Sequence, residues 1–569
     1  MNSGAGKSRR SYSPSLRQRL HQNIASSPEG ARPRVNELHV RASQWFEDHG
    51  SAIEAFHHAA AADDVERAQR LIAGDRIPQH LRSAVAPILD WLGSLPRKVL
   101  DARPWLWWRH ASLLLIHGQT TGVEEKLQAA EDALQGRWAE DPDRNLVGLI
   151  AEARSVLALP RYDVETMLAQ SRRALEYLNP DSLIPRATAY WAMGSAYVFS
   201  RDSAAARRAF TEAISLSQAS GDIFTAILAT VGMGYVEEVE NQFDVAAATY
   251  RRVLQMVGDQ PLQIIHEVHL GLARILYEWN DLDAAEQHAR QGLDLAKQYD
   301  RVIDRFIVCE VFLARLKLAQ RDVAGAAAVL AEADQSVRRH HFLHRAAEVA
   351  AAQVATFLHQ GNLAAAERLA EMHQLPLSQA RVHLAREDAS AALAVLEPLR
   401  RQAEAKGWQD ERLKVMVLQS VAHLVHGEKD KALQLLGEAL ALAEPGGFVR
   451  LFVDEGEPMA HLLSEAATHG MMPAYVAKLL TVFETEKRKS QDQSSLTTAP
   501  PAHSLVEPLS RRELEVLRLI AQGFSNREIG KRLFLALVTV KGHNQKIFGK
   551  LQVKNRTEAV ARGRELGLL

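Results

Sequence analysis

A recurring element constrains this chain more than any other feature. A short polar corner, then alanine and an amphipathic run, appears as RDSAAARRAF, NQFDVAAATY, NDLDAAEQHA, RDVAGAAAVL, GNLAAAERLA, EDASAALAVL and GEKDKALQLL. The small residue just inside each run is read at Ala206, Ala246, Ala285, Ala326, Ala366, Ala391 and Ala432, about 40 residues apart except for one step of about 25. The surrounding sequence, from about residue 150 to 445, is rich in Ala, Leu, Gln and Glu and lacks the β-branched alternation of strands. A methyl group at a fixed place in such a period lets paired helices approach closely, so the sequence predicts an all-α chain of stacked helical hairpins, an α-solenoid. The short step, across EMHQLPLSQARVHLARED, predicts a shortened helix and a kink.

The pattern resembles tetratricopeptide repeats with lengthened helices. The concave face of such a solenoid is where a small-molecule inducer or a protein partner is expected to dock. Two clusters within it have alternative readings. Trp105, Trp107 and Trp108 in RPWLWWRH form either an aromatic ligand wall or packing between the first hairpins. His340 and His344 in RRHHFLH lie one helical turn apart, either a metal pair or ordinary surface histidines, with no further ligand nearby. No metal site is expected.

At the N-terminus, Gly4, Ala5, Gly6, Lys7 and Ser8 are the tail of a phosphate-binding loop without the strand and first glycine that make one work. Pro14 interrupts the helix that should follow. A polar, disordered segment is expected there, and no nucleotide cofactor. Cys309 is the single cysteine, which excludes an internal disulfide framework and fits a reducing cytoplasm. No run approaches the roughly 20 apolar residues that span a bilayer. No Ser/His/Asp or paired-carboxylate set falls on converging elements, so no catalytic residue is expected.

Charge divides the chain. Residues 506–569 hold 13 Lys and Arg against 6 Asp and Glu, a net of +7, which leaves −8 on everything upstream. A basic module on an acidic body points to a polyanionic partner. Capping pairs divide that module: Ser510 with Glu513, Ser525 with Glu528 and Asn555 with Glu558 start three helices, and Gly523 ends the first. A further helix must run from about Val538 to Leu551. At 100° per residue it places Val540, Asn544, Ile547 and Leu551 on a core stripe, Lys541, Gly542, Gln545 and Gly549 opposite, and His543, Lys546 and Lys550 on a flank. Two short helices joined by a turn, the second showing Lys and Gln outward, is the arrangement that enters the major groove. Gly542 and Gly549 each cost about 1 kcal/mol in helix propensity, which makes sense if something large must approach the backbone.

LSRRELEVLRLIAQGFSNREIGKRLF followed by TVKGHNQKIFGKL resembles the LuxR-type helix-turn-helix, over residues 508–568. Upstream, LRQRLH, RASQWFEDHGSAIEAFHHAAAADDVERAQRLI and DWLGSLPRKVLDARPWLWW resemble segments that follow the ATPase and winged-helix domains of the large MalT-like activators, and the solenoid is similar to their inducer-sensing domain. The resemblance implies a bacterial transcription activator that binds double-stranded promoter DNA, contacts RNA polymerase and pairs on DNA. The ATPase domain of those activators is expected to be missing from this chain. Matched by position, Lys541, Gly542 and Gln545 fall on base-contacting places, and Asn526, Thr539, Lys546 and Lys550 on phosphate contacts. Ala559 and Val560 fall on the pairing surface, with core packing as an equal alternative. Ala536 and Val538 depart from the hydroxyl residues common in the family. A second function class stays open: an interaction protein that pairs with full-length activators and modulates them. The expected division is 1–35 disordered N-terminus or remnant of a winged-helix region, 36–150 helical lead-in, 151–483 repeat sensor, 484–505 flexible linker and 506–569 DNA-binding domain.

Overall fold

The computed structural model describes residues 32–73, 82–134, 143–258, 264–299, 305–340, 342–498, 509, 511–533, 535, 537–551 and 553–565. Residues 4–8, Ser510 and Ala536 lie outside these, as does the side chain of Val538. All regular structure among the described residues is helical. The chain forms two compact units, Met1–Ala477 and Lys478–Leu569.

In the first unit the recurring corner has a physical explanation. The residue opening each corner, Arg201, Asn241, Asn280, Arg321, Gly361, Glu387 or Gly427, has a positive φ. For a residue with a Cβ this left-handed conformation costs about 1 to 2 kcal/mol. Hydrogen bonds offset the cost. Arg201 N donates to Val198 O at 3.0 Å and Asp202 N to Tyr197 O at 2.8 Å, closing the preceding helix, and the other corners repeat the pair. The next residue then caps the following helix: Asp202, Asp281, Asp322, Asn362 and Asp388 accept from the N–H three residues on at 2.9, 3.2, 2.8, 3.2 and 3.0 Å. The same corner recurs earlier, at Asp63–Asp64 and Tyr162–Asp163, outside the stretch in which the sequence shows it plainly.

Ala206, Ala246, Ala285, Ala326, Ala366 and Ala432 are fully buried. Ala391 is corrected to Ala392. The buried position lies five residues after the left-handed one at each corner, and counting from Glu387 reaches Ala392, which is fully buried while Ala391 is only half-buried. The short step is a pair of ten-residue helices, Leu363–Met372 and Pro376–Ala385. Glycines lock successive hairpins. Phe210 fills a slot between Gly194 and Gly232, where a Cβ on Gly194 would lie 2.6 Å from the ring, and Tyr250 fills the equivalent slot between Gly234 and Gly271.

The array also winds back on itself. Arg345 Nη2 donates to Tyr162 Oη at 2.7 Å, and Arg201 Nη2 meets Asp410 Oδ1 at 2.6 Å. The segment around the short helix Arg450–Val453 forms a clasp across earlier repeats. Val449 N donates to Glu278 O at 2.7 Å and Leu451 N to Glu278 Oε2 at 3.0 Å. Tyr277 Oη donates to Asp454 Oδ2 at 2.7 Å, and Trp279 Nε1 to Gly446 O at 2.9 Å. Burial pushes the Glu278 carboxyl above the usual carboxylate range, while Arg315, 2.9 Å away, pulls it down.

The tryptophans pack. Trp108 is buried and its Nε1 donates to Leu149 O at 3.0 Å, while Trp105 and Trp107 lie against the cores of adjacent hairpins. His340 stacks on Phe342 and His344 lies beside Tyr162. No group of three metal-ligating side chains occurs among the described residues, and no described helix is long and apolar enough to cross a membrane.

The linker expectation for 484–505 is corrected at its start. Helix Pro473–Thr498 runs through residues 484–498, a stretch rich in Glu, Lys, Arg and Gln without Gly or Pro to stop it.

Candidate nucleic-acid interface

Four helices build the terminal site: Arg511–Ala521, Asn526–Leu533, Leu537–Leu551 and Arg556–Glu565. Their starts and stops are chemical. Gly523 ends the first helix at positive φ. At the second, Ser525 N donates to Glu528 Oε2 at 2.7 Å, and the Ser525 hydroxyl, an acceptor from Glu528 N at 3.4 Å, completes a reciprocal cap. The Ser525 hydroxyl also donates to Glu528 Oε2 at 2.6 Å, and this bond, with the one from Ser525 N, holds the Glu528 carboxyl below its usual range. At the fourth, Asn555 Oδ1 accepts from Glu558 N at 2.9 Å while Glu558 Oε2 accepts from Lys554 N at 2.8 Å. The turn between the second and third helices closes with Leu535 N donating to Gly530 O at 2.8 Å. A Cβ at Gly530 would sit 2.8 Å from the Leu535 carbonyl oxygen, so the sharp turn leaves little room for any side chain there.

The third helix divides as its periodicity requires. Val540, Ile547 and Leu551 enter a core with Val516, Leu517, Ile520, Ile529 and Ala559. Asn544 is on the same stripe, 9% exposed, and its Nδ2 donates to Asn526 Oδ1 at 2.9 Å. On the other side Thr539, Lys541, Gln545 and Lys546 are exposed. A Cβ on Gly542 or Gly549 would meet nothing, so no contact within the chain requires glycine at either place. Asn526 is half-buried at the first turn of the second helix. It lines a shallow cleft with Arg527, Gly530, Lys531, Leu535 and Leu537.

One expected site residue is corrected. Lys550 does not extend outward: its Nζ lies 2.9 Å from Glu513 Oε2, with the two side chains 15% and 5% exposed. The desolvated carboxylate holds the ammonium against the core. Of the two readings open for Ala559 and Val560, the structure shows core packing: Ala559 is fully buried and half-buried Val560 packs against the same core.

Several of the basic residues have internal work. Arg512 Nη2 donates to Leu533 O at 2.7 Å, Arg556 Nη2 donates to Phe524 O, and Arg532 lies 4.3 Å over the Phe524 ring. Sequence reading missed these pairings and also Arg527 and Lys531, exposed cations of the second helix. Their signal was the second helix's own period, which puts Ile529 inside and these two out.

A four-helix unit that presents the polar face of its third helix, on a chain whose other described residues form stacked helical hairpins, defines the class: tetratricopeptide-like repeats with a terminal helix-turn-helix unit. Residues 148–469 match the family described as "MalT-like TPR region", and residues 507–562 match "Bacterial regulatory proteins, luxR family". The first match covers more than half of the sequence, and the chain belongs to the MalT-like TPR family, with a LuxR-type terminal domain.

Among curated proteins, the HTH-type transcriptional regulators MalT of Serratia proteamaculans (strain 568) and Yersinia pestis (strain Pestoides F) are each 25% identical to it, over 581 and 584 residues. These alignments cover 97% of this chain and 63% of each relative, so the chain spans under two thirds of their length. A solved Rap protein complexed with competence and sporulation factor aligns with a TM-score of 0.50 at 12% identity, covering 61% of this chain and 99% of that one. That likeness is one of fold alone. The chain thus joins MalT-like repeats to a terminal domain of the luxR family.

Proposed function

We propose that the chain binds double-stranded promoter DNA in the major groove through the helix Leu537–Leu551, and that its repeat unit receives a small-molecule or protein signal. Lys541 and Gln545 read base edges, with Gly542 between them admitting the DNA without a side chain. Thr539, Lys546 and Asn526 contact phosphates. The observation that carries this reading is the exposure of Lys541, Gln545 and Lys546 on one side of a helix whose opposite side is core. Activation through RNA polymerase and pairing on DNA accompany the reading, by likeness to the MalT regulators. A cytoplasmic location and a division near residue 506 belong to it too. The test is selection of duplexes from a random library by the full chain, followed by binding of Gln545→Ala to the selected duplex and to random duplex. Loss of preference without loss of random-duplex binding supports the reading; equal losses on both overturn the base-reading assignment.

A further inference from the structure

Asn544 is the one polar side chain on the buried stripe of the DNA-facing helix. A carboxamide there is costly unless it is hydrogen-bonded, and an apolar residue of the same size would fill the place more cheaply. Its Nδ2 has a partner, Asn526 Oδ1 at 2.9 Å, but its own Oδ1 is buried with none among the described residues. The position therefore retains an uncompensated acceptor for the sake of one donated bond. We infer that Asn544 is a positioning residue: it fixes the Asn526 carboxamide so that its N–H groups, not its oxygen, face a DNA phosphate. This rests on the DNA-binding reading above.

Donor and acceptor chemistry sets which way Asn526 must face. A primary carboxamide has one oxygen that accepts and one NH2 that donates, on opposite sides of the Cβ–Cγ axis about which the planar group flips by half a turn. Phosphate oxygens only accept. With its oxygen committed to Asn544, Asn526 directs its two N–H donors away from the third helix. It lines the cleft shared with Arg527 and Lys531, whose exposed cations favour an anion there. Asn526 is also the first residue of its helix, where unpaired backbone N–H groups and the helix dipole act in the same sense. A flipped Asn526 would present oxygen to oxygen.

The experiment uses the full chain and random-sequence duplex DNA, because a phosphate contact is independent of sequence. Asn526→Ala is expected to weaken binding about tenfold, as loss of a hydrogen bond to a charged group does, without changing the slope of log K against log salt, since no cation is removed. Asn544→Asp replaces the donor by acceptors and forces Asn526 to flip. It is expected to weaken binding about tenfold alone, and less than about twofold in the Asn526→Ala background. Asn544→Leu fills the core without a charge and removes the bias without reversing it. Its expected loss is about two- to threefold alone and none in the Asn526→Ala background, so it decides the matter if the aspartate variant does not fold. If both Asn544 variants cost the same with and without Asn526, the positioning role is overturned while the phosphate contact stands. If Asn526→Ala is silent on a wild-type chain that binds, the contact itself is overturned and the role with it. If the wild-type chain does not bind duplex DNA, the underlying reading fails.

Discussion

Removing the Lys550 ammonium should unfold the terminal unit before it changes how that unit meets DNA. Lys550 Nζ and Glu513 Oε2 are 2.9 Å apart, and both side chains are largely withdrawn from water. Replacing Lys550 with Met takes this ammonium away from a withdrawn carboxylate, and breaking a buried ion pair on one side costs about 3 to 5 kcal/mol. Helices Arg511–Ala521 to Arg556–Glu565 span about 55 residues, and at roughly 0.05 to 0.15 kcal/mol per residue such a unit has only about 3 to 8 kcal/mol of stability. The cost is therefore a large part of the total. Hydrogen exchange of the full chain, read on peptides from 511–565, should show near-global deprotection of that unit in Lys550→Met. Glu513→Leu combined with Lys550→Met removes both charges and should recover most of the protection. The fraction of the single variant that stays folded should bind random duplex DNA with an unchanged salt slope, because the ammonium never met a phosphate. Full protection in Lys550→Met, together with a slope reduced by about 1, would refute the reasoning and return Lys550 to the DNA surface.

Lys546→Ala, by contrast, should reduce that slope by about 1 on every sequence while leaving protection intact, as a salt titration would read. Gly549→Ala should stabilise the third helix by up to about 1 kcal/mol in urea unfolding, since a Cβ there meets nothing, whereas Gly232→Ala should destabilise the repeat unit by about 1 to 3 kcal/mol because its Cβ would strike the Phe210 ring. Glu278→Ala should open the clasp, seen as faster hydrogen exchange at 446–454 with the repeats before residue 240 unchanged. His269 and His288 stand Nδ1 to Nδ1 at 2.8 Å, and burial, with His288 second, lowers His269 from 6.5 to about 4. The unfolded chain then binds the proton first, so stability present above pH 6.5 falls as pH drops toward about 4; thermal melts should show this loss, and His269→Gln should reduce it, leaving the share from His110, which burial likewise lowers to about 4.

Features with a short period were legible in the sequence. The stripe Val540, Asn544, Ile547 and Leu551 follows from helical geometry alone, and the Ser525–Glu528 and Asn555–Glu558 caps from residues three apart. The corners were visible because each repeats its polar cap and its alanine. What was not legible depends on distant partners. Lys550 looks like a phosphate contact on a helical wheel, and only Glu513, 37 residues away, shows otherwise. The clasp joins Glu278 to Leu451, 173 residues apart, with no local pattern that announces it. Gly194 and Gly232 read as weak points in helices until Phe210 is seen between them. Ala391 was displaced by one because a run of alanines hides its own register, and the left-handed Glu387 is what sets it. The helix through 484–498 was obscured by a polar composition that suits a linker and an exposed helix equally.

The central claim is that this chain reads DNA sequence with the exposed side of helix Leu537–Leu551. The most direct measurement is the ratio of affinities of Lys541→Ala for a duplex selected by the wild-type full chain and for random duplex, at fixed salt. Lys541 is exposed and touches nothing in the unit's core, so the variant should stay folded. The account predicts that its preference for the selected duplex falls by about 1 to 3 kcal/mol in discrimination, with a smaller, sequence-independent loss on both duplexes from the missing charge. An unchanged ratio, or a wild-type chain from which no sequence can be selected, would contradict it.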